Sequence, residues 1–491
     1  MLFQSLDFLV LLLAVFGAII LLRTHLLQLV MLLVASYVFY MWWNPIYILL
    51  IVGSTLVDYI AGRMMSKRKL GDPKRKPWLI FSVVINLGLL GVFKYFNFFA
   101  GEINLGLQQL GIENALPHLN VLLPVGISFY TFQSMSYTID VFRGNTQAEL
   151  SLIRFATYVA FFPQLVAGPI LRSTDFLPQL RGKTLDLKAE NLRSGFHLFL
   201  NGLVKKMLVA DQVGRLVDNI FNLPQGLPSP IIALGAFCFA IQIYADFSAY
   251  SDMAIGVARM MGFYIPANFR YPNFSRSISE FWTRWHISLS IWVRDYLYYP
   301  LGGSRKGVGR TYINLLITML LMGVWHGAGW NFFLYGIFNG LVMVVERATG
   351  WRTAIGDRDP WGTTLAGMQR VRVFAFSTVK WAIFMYLRVL SCIFFRVTDT
   401  QDLIYSVKKY VLFDFDFTLG SWGLAQANPF LIALIIAAFT AMHWFSFRVN
   451  GFAGWLDRRS RPVQYAIYFA AGFALFAFWP SERVAYIYFQ F

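Results

Sequence analysis

Residues 311–340 read TYINLLITMLLMGVWHGAGWNFFLYGIFNG, an apolar run interrupted by one histidine, His326, directly after Trp325. About 20 apolar residues suffice to cross a bilayer, so the run belongs to a membrane protein. A histidine is costly to hold in lipid and marks a functional site unless it serves only as a hydrogen-bonding link between packed helices. Gly323, Gly327 and Gly329 surround it and would let other groups approach the backbone closely. A second Trp–His pair, Trp285 and His286, lies upstream in SEFWTRWHISLSIWVRDYLYYPLGG, residues 279–303. That segment is amphipathic, so contact with water accounts for its histidine as readily as chemistry does.

The whole chain has the same character. Of its 491 residues 57% are hydrophobic, 18% aromatic and only 14% charged, which excludes an ordinary soluble domain. The formal charge of +17 would point to nucleic acid in a soluble protein. Here Lys and Arg sit in loops between apolar runs, so the charge reads as membrane orientation, with no nucleic-acid partner. Cys238 and Cys392 both lie in apolar runs and read as small buried hydrophobes, with no disulfide framework and no metal site. The first 22 residues lack a basic leader and a small-residue cleavage site, and read as a retained first span.

The spans follow from the apolar runs. The first four cover about 5–22, 26–43, 45–62 and 78–99. Between the third and fourth lies RMMSKRKLGDPKRKP, residues 63–77, with seven Lys or Arg against one Asp; it is expected in the cytoplasm, which puts the N-terminus outside. Residues 100–120 are mildly amphipathic and expected on the outer surface. Later spans are expected at about 121–142, 194–222, 230–262, 311–330, 331–349, 373–396, 430–448 and 463–480. The reading is an all-α polytopic protein with about 11–13 transmembrane helices in a single domain, both termini outside. The basic loops 263–310, 347–372 and 449–461 fall inside, and 399–428 outside.

Several segments carry more polarity than a lipid-facing span tolerates. Residues 121–142, VLLPVGISFYTFQSMSYTIDVF, hold so many hydroxyls and amides that they read as an interior or cavity-facing helix. Residues 154–170 are short and broken by Pro163, Gly168 and Pro169; they read as re-entrant, with backbone that must be buried in protein or line a cavity. Asp246 and Asp252 lie in one apolar run; Asp246 shares a helix face with Tyr250, and a packing ion pair is the plain alternative to a site role. A helix capped by Ser279 or Ser277 is expected from about Glu280, and its tryptophans suit a position along the membrane interface. The loop LGGSRKGVGR, residues 301–310, has glycines and cations but no Walker spacing, and an inward-facing basic loop explains it.

Five motifs then fall in order: FFPQLVAGPI (161–170), IQIYADFSAYSDMAIG (241–256), FWTRWHISLSIWVRDYLYYPLGG (281–303), GVWHGAGWNFFLYG (323–336) and the terminal YIYFQF (486–491). In these the chain resembles the membrane-bound O-acyltransferase family, and within it the bacterial branch that acetylates alginate. Members that act on teichoic acid, peptidoglycan or cellulose share the core motifs, which extend over about 121–349. The resemblance implies a helical funnel, with His326 as the family's near-invariant histidine and His286 as the second polar position of the active site. It also implies an inner-membrane enzyme with no bound cofactor, acetyl-coenzyme A as a cytoplasmic acetyl donor, and periplasmic acetyltransferase or carrier proteins of the polysaccharide machinery as partners.

The chemistry is consistent with that. Acyl transfer from a thioester to a hydroxyl needs a base, and neutral histidine, with an unperturbed pKa of about 6.5, suits the task. His286, Trp325, Trp330 and Asn331 are candidate oxyanion donors, Asp246 and Tyr250 candidate tunnel residues. An acyl-histidine intermediate is the alternative to direct transfer. Arg305 and Lys306 are candidates to attract the donor's phosphates, and His286, in a basic block, is expected on the donor side of His326. Two other classes fit a buried histidine: a proton-coupled secondary transporter and a non-catalytic export component. No internal repeat of the transporter kind is visible.

Overall fold

The structure is a computed structural model. It describes all residues except 113–114, 183, 352–360, 362–365, 417–428, 480–483 and 490–491. Among the described residues the regular structure is entirely helical, as the apolar runs require. Six helical segments are long and apolar enough to cross a membrane: Pro45–Ser66, Pro73–Gln108, Ser229–Met260, Val308–His326, Gly367–Arg396 and Phe430–Arg448. Two shorter apolar helices, Leu6–Leu21 and His25–Met41, match the first two expected spans. The chain packs as two compact units, one of residues 1–203, 250–266 and 485–491, the other of 204–249 and 267–484.

The first unit contains α1 (Leu6–Leu21), α2 (His25–Met41), α3 (Ile48–Ser66), α4 (Lys76–Leu90), α5 (Phe96–Gln108), α6 (Ile127–Arg143), α7 (Leu152–Ala160), α8 (Ser173–Leu180) and most of α9 (Ala189–Val204). Helix α6 is the polar one, and its residues 127–138 are all buried, as its hydroxyls predict. They serve structure: the buried carboxylate of Asp58 on α3 accepts from Thr138 Oγ1 at 3.0 Å, from Asn86 Nδ2 at 3.0 Å and from Ser82 Oγ. Helix α7 is nine residues long, too short to cross, and the turns after it are buried throughout residues 161–171. Side chains satisfy that irregular backbone. Ser36 Oγ accepts from Phe162 N at 3.1 Å, Gln133 Nε2 donates to the Tyr158 carbonyl at 2.6 Å, and the Tyr158 hydroxyl donates to Leu171 O at 2.9 Å.

The second unit contains α10 (Asp211–Phe221), α11 (Ser229–Met260, as far as residue 249), α12 (Ile278–Arg284), α13 (Ile287–Val293), α14 (Val308–His326), α15 (Trp330–Ala348), α16 (Gly367–Arg396), α17 (Thr400–Val411), α18 (Pro429–Arg448), α19 (Phe452–Asp457) and α20 (Arg461–Ala477). The expected 194–222 span holds a wide-turn segment at Lys205–Ala210. Within this unit that segment places buried Lys206 against two carboxylates, Asp246 at 2.7 Å and Asp211 at 2.9 Å. Parts of the expected loops 347–372 and 399–428 lie outside the described residues.

Candidate active site

His326 is the last residue of α14. Gly327 is extended, and three residues later α15 begins, so the histidine stands at a tight helical hairpin and not within a continuous run. The hairpin closes because glycines line its contact: a Cβ on Gly336 would stand 2.6 Å from the Met319 carbonyl oxygen and 2.9 Å from Leu320 Cα. His326 is 2% exposed, and its Nδ1 lies 2.7 Å from the Met322 carbonyl oxygen one turn back. A carbonyl only accepts, so Nδ1 carries the proton and Nε2 keeps the lone pair a base needs. Phe395 and Tyr335 hold the ring edge-on at centroid distances of 5.2 and 5.7 Å.

His286 comes from a different local structure. The amphipathic segment does not form one helix: α12 ends at Arg284, α13 starts at Ile287, and His286 between them has φ of +41°. A non-glycine residue held in the left-handed region costs about 1–3 kcal/mol and persists only where its surroundings fix it. Here they do. Ser277 Oγ accepts from Glu280 N at 3.0 Å, selecting Ser277 as the cap, and the buried Glu346 carboxylate on α15 accepts from Ile278 N at 2.5 Å and Ser279 N at 2.9 Å. On the far side of the break Asn268 accepts from Ser288 N at 3.1 Å. The surface expectation for this segment meets a different arrangement: His286 is fully buried, and Trp282, Trp285 and Trp292 are buried with it. They pack because neighbours cover them; the Arg388 guanidinium lies 4.7 Å from the Phe281 ring centroid and 5.2 Å from that of Trp285.

The two histidines share Trp325. Its ring is 5.1 Å from His326 and 5.9 Å from His286, and the His286 ring also meets Phe247 in a T-shaped contact at 4.7 Å. His286 lies between two short helices, outside the spanning ones; burial first, and then the charge His326 would carry, hold its pKa well below the histidine range. The site is therefore a pair of buried imidazoles around an indole.

The remaining candidates are placed as follows. Asn331 is buried and donates from Nδ2 to the Phe394 carbonyl at 3.1 Å, tying α15 to α16. Trp330 is 52% exposed, its ring on Phe333. Asp246 is the ion-pair partner of Lys206 described above. Tyr250 packs in the first unit, its ring 4.8 Å from Phe3 and 5.1 Å from Tyr486 of the terminal motif. Arg305 and Lys306 are exposed in the turn before α14. Among the described residues no cluster of three or more potential metal ligands occurs. Tyr335, Phe395, Glu346 and Arg388 escaped the reading of the sequence; only the two charged ones left a signal there, as ionisable residues within apolar helices.

Known proteins are similar to this chain in sequence, some of them over most of its length. The sequence model of the membrane-bound O-acyltransferase family matches residues 142–389, which include both histidines. A probable alginate O-acetylase, AlgI, of Pseudomonas putida is 40% identical over 451 residues, covering 91% of this chain and 88% of that protein. The peptidoglycan O-acetyltransferase of Helicobacter pylori is 32% identical over 77% of this chain and 73% of its own. A teichoic acid D-alanyltransferase of Bacillus subtilis is 30% identical over 46% of this chain and 59% of its own. Together with the all-helical membrane architecture, these similarities show that the chain belongs to the membrane-bound O-acyltransferase family, in the branch of the probable alginate O-acetylases, and is an O-acyltransferase.

Proposed function

We propose that this membrane O-acyltransferase passes an acetyl group from cytoplasmic acetyl-coenzyme A across the bacterial inner membrane for O-acetylation of an exopolysaccharide such as alginate. The observation that carries the reading is the buried His286–Trp325–His326 arrangement, with the His326 Nδ1 proton committed to Met322 O. Similarity to a probable alginate O-acetylase over 91% of the chain supports the acceptor class. His326 Nε2 takes the proton from the acceptor hydroxyl as its oxygen attacks the thioester carbonyl carbon. The oxyanion of the tetrahedral intermediate is met by the Trp325 indole N–H. Collapse breaks the carbon–sulfur bond, and the leaving thiolate takes the proton back from His326. His286, neutral, sits on the donor side and positions the thioester; Arg305 and Lys306, exposed before α14, draw in the donor's phosphates. Periplasmic acetyltransferase or carrier proteins deliver the group to the polymer, and the alternation of basic loops supports a topology with both chain termini in the periplasm.

The test is the ester content of the polymer made by cells carrying His326→Ala, read beside membrane abundance of the protein. Loss of ester at normal abundance supports the reading, and normal ester content overturns it.

A further inference from the structure

The first unit holds a cavity of about 630 Å³ between the end of α3, the loop 144–151 and the end of α8. That volume suits a small molecule or a headgroup and exceeds what a lone ion fills. Four arginines line it, Arg68, Arg75, Arg154 and Arg181, against one carboxylate, Glu149. Glu149 engages two of them, Arg154 at 3.0 Å and Arg181 at 2.9 Å. The other two are left with donors to give. Arg75 is 5% exposed; its Nη2 donates to Val141 O at 2.6 Å, while its Nε has no hydrogen-bond partner among the described residues. The Arg68 side chain is exposed and makes no ion pair or hydrogen bond among the described residues. A guanidinium donor buried without an acceptor is costly, and an oxyanion with several lone pairs relieves it. Leu70 and Leu150, 66% and 64% exposed, add apolar surface to the lining.

We propose that this cavity binds a phosphate group, carried either by an anionic lipid headgroup or by a soluble phosphate compound. Phosphate fits because its oxygens accept from several guanidinium forks at once, and because three positive charges remain after Glu149 is counted against the four arginines. The exposed leucines would lie along the acyl chains in the lipid case.

The test uses the full-length protein in detergent micelles with two probes: pyrophosphate in a titration, and dioleoyl-phosphatidylglycerol against dioleoylglycerol, the same lipid without phosphate, in native mass spectrometry. Arg68→Gln removes a side chain with no structural partner, so it leaves the fold intact; Arg68→Gln/Arg75→Lys also alters the buried fork. Each lost arginine is expected to weaken binding roughly fivefold, about 1 kcal/mol, while Arg310→Gln, in the basic loop of the second unit, binds as the parent does. Arginine-dependent retention of phosphatidylglycerol alone identifies the headgroup; arginine-dependent pyrophosphate binding alone identifies a soluble phosphate; both together support the site with either source. If neither probe binds saturably, or if Arg68→Gln and the double variant bind like the parent, there is no phosphate site here. Should the double variant not fold, Arg68→Gln decides.

Discussion

His326 and His286 differ in what surrounds them, and the difference sets what each substitution does. His326 Nδ1 is committed to a carbonyl, which fixes the ring and its tautomer; His286 owes its place to a strained backbone between two capped helices. In the proposed mechanism His326→Ala removes the base and should stop the chemical step, whereas His286→Ala removes a donor-side residue and should weaken use of the donor. For purified His286→Ala, raising acetyl-coenzyme A is expected to recover much of the transfer rate; unchanged donor dependence with lower turnover would move His286 into the chemical step. Lys206 is a structural counterpart. With Asp246 and Asp211 at 2.7 and 2.9 Å and all three buried, Lys206→Met strands two carboxylates, an expected loss of about 3–5 kcal/mol. Thermal unfolding in detergent measures it, and Asp246→Asn on top should restore part; an unchanged unfolding temperature for Lys206→Met would show that the pair contributes nothing.

Elements place these residues through their ends. Helix α12 has only seven residues, and its first N–H groups rest on Glu346 from α15. Glu346→Ala should therefore lower transfer and stability together, and Glu346→Gln, which keeps one accepting oxygen, should recover part of both; equal losses in the two would deny the cap. In the first unit the loop before α7 turns on Glu149. Burial alone would raise its carboxyl pKa, but the Ser151 N–H and the Arg181 and Arg154 guanidinium groups outweigh burial and hold it below the ordinary 4.5. A depressed folded-state value stabilises above pH 4.5, and that contribution is lost as pH falls through the lower value. The unfolding temperature of the parent should exceed that of Glu149→Gln at pH 7 and converge with it as pH falls below 4.5; a gap independent of pH would contradict this. What was legible in the sequence divides along the same line. Helix existence and extent followed from hydropathy, because lipid leaves the backbone no other choice. The break at His286, the wide turn at Lys205–Ala210 and the Glu346 cap were not legible, because each depends on a partner more than 35 residues away in the chain, such as Glu346 for Ile278 or Asp246 for Lys206. The tryptophans of 282–292 read as an interface pattern because an indole suits a membrane surface and a packed interior alike.

At the scale of the whole molecule, the charge pattern makes a testable prediction of how the chain is oriented in the membrane. The block 63–77 carries seven cations, and the long apolar segment Pro73–Gln108 follows it. If the block is cytoplasmic, residues beyond that segment are periplasmic. Both native cysteines are fully buried, so single cysteines at exposed Leu70 and Leu110 can be read over a low background. A membrane-impermeant maleimide applied to intact spheroplasts should label position 110 and spare position 70; the reverse would invert the topology and with it the donor side. His326 as the base for acyl transfer is tested most directly by the initial rate at which purified, full-length protein, supplied with its periplasmic acetyltransferase partners and a polysaccharide acceptor, moves labelled acetyl out of acetyl-coenzyme A, compared between the parent and His326→Ala at matched folded concentration. The expected result is a fall of roughly 10²–10⁴-fold with an unchanged unfolding temperature; a rate within a few-fold of the parent would contradict the assignment.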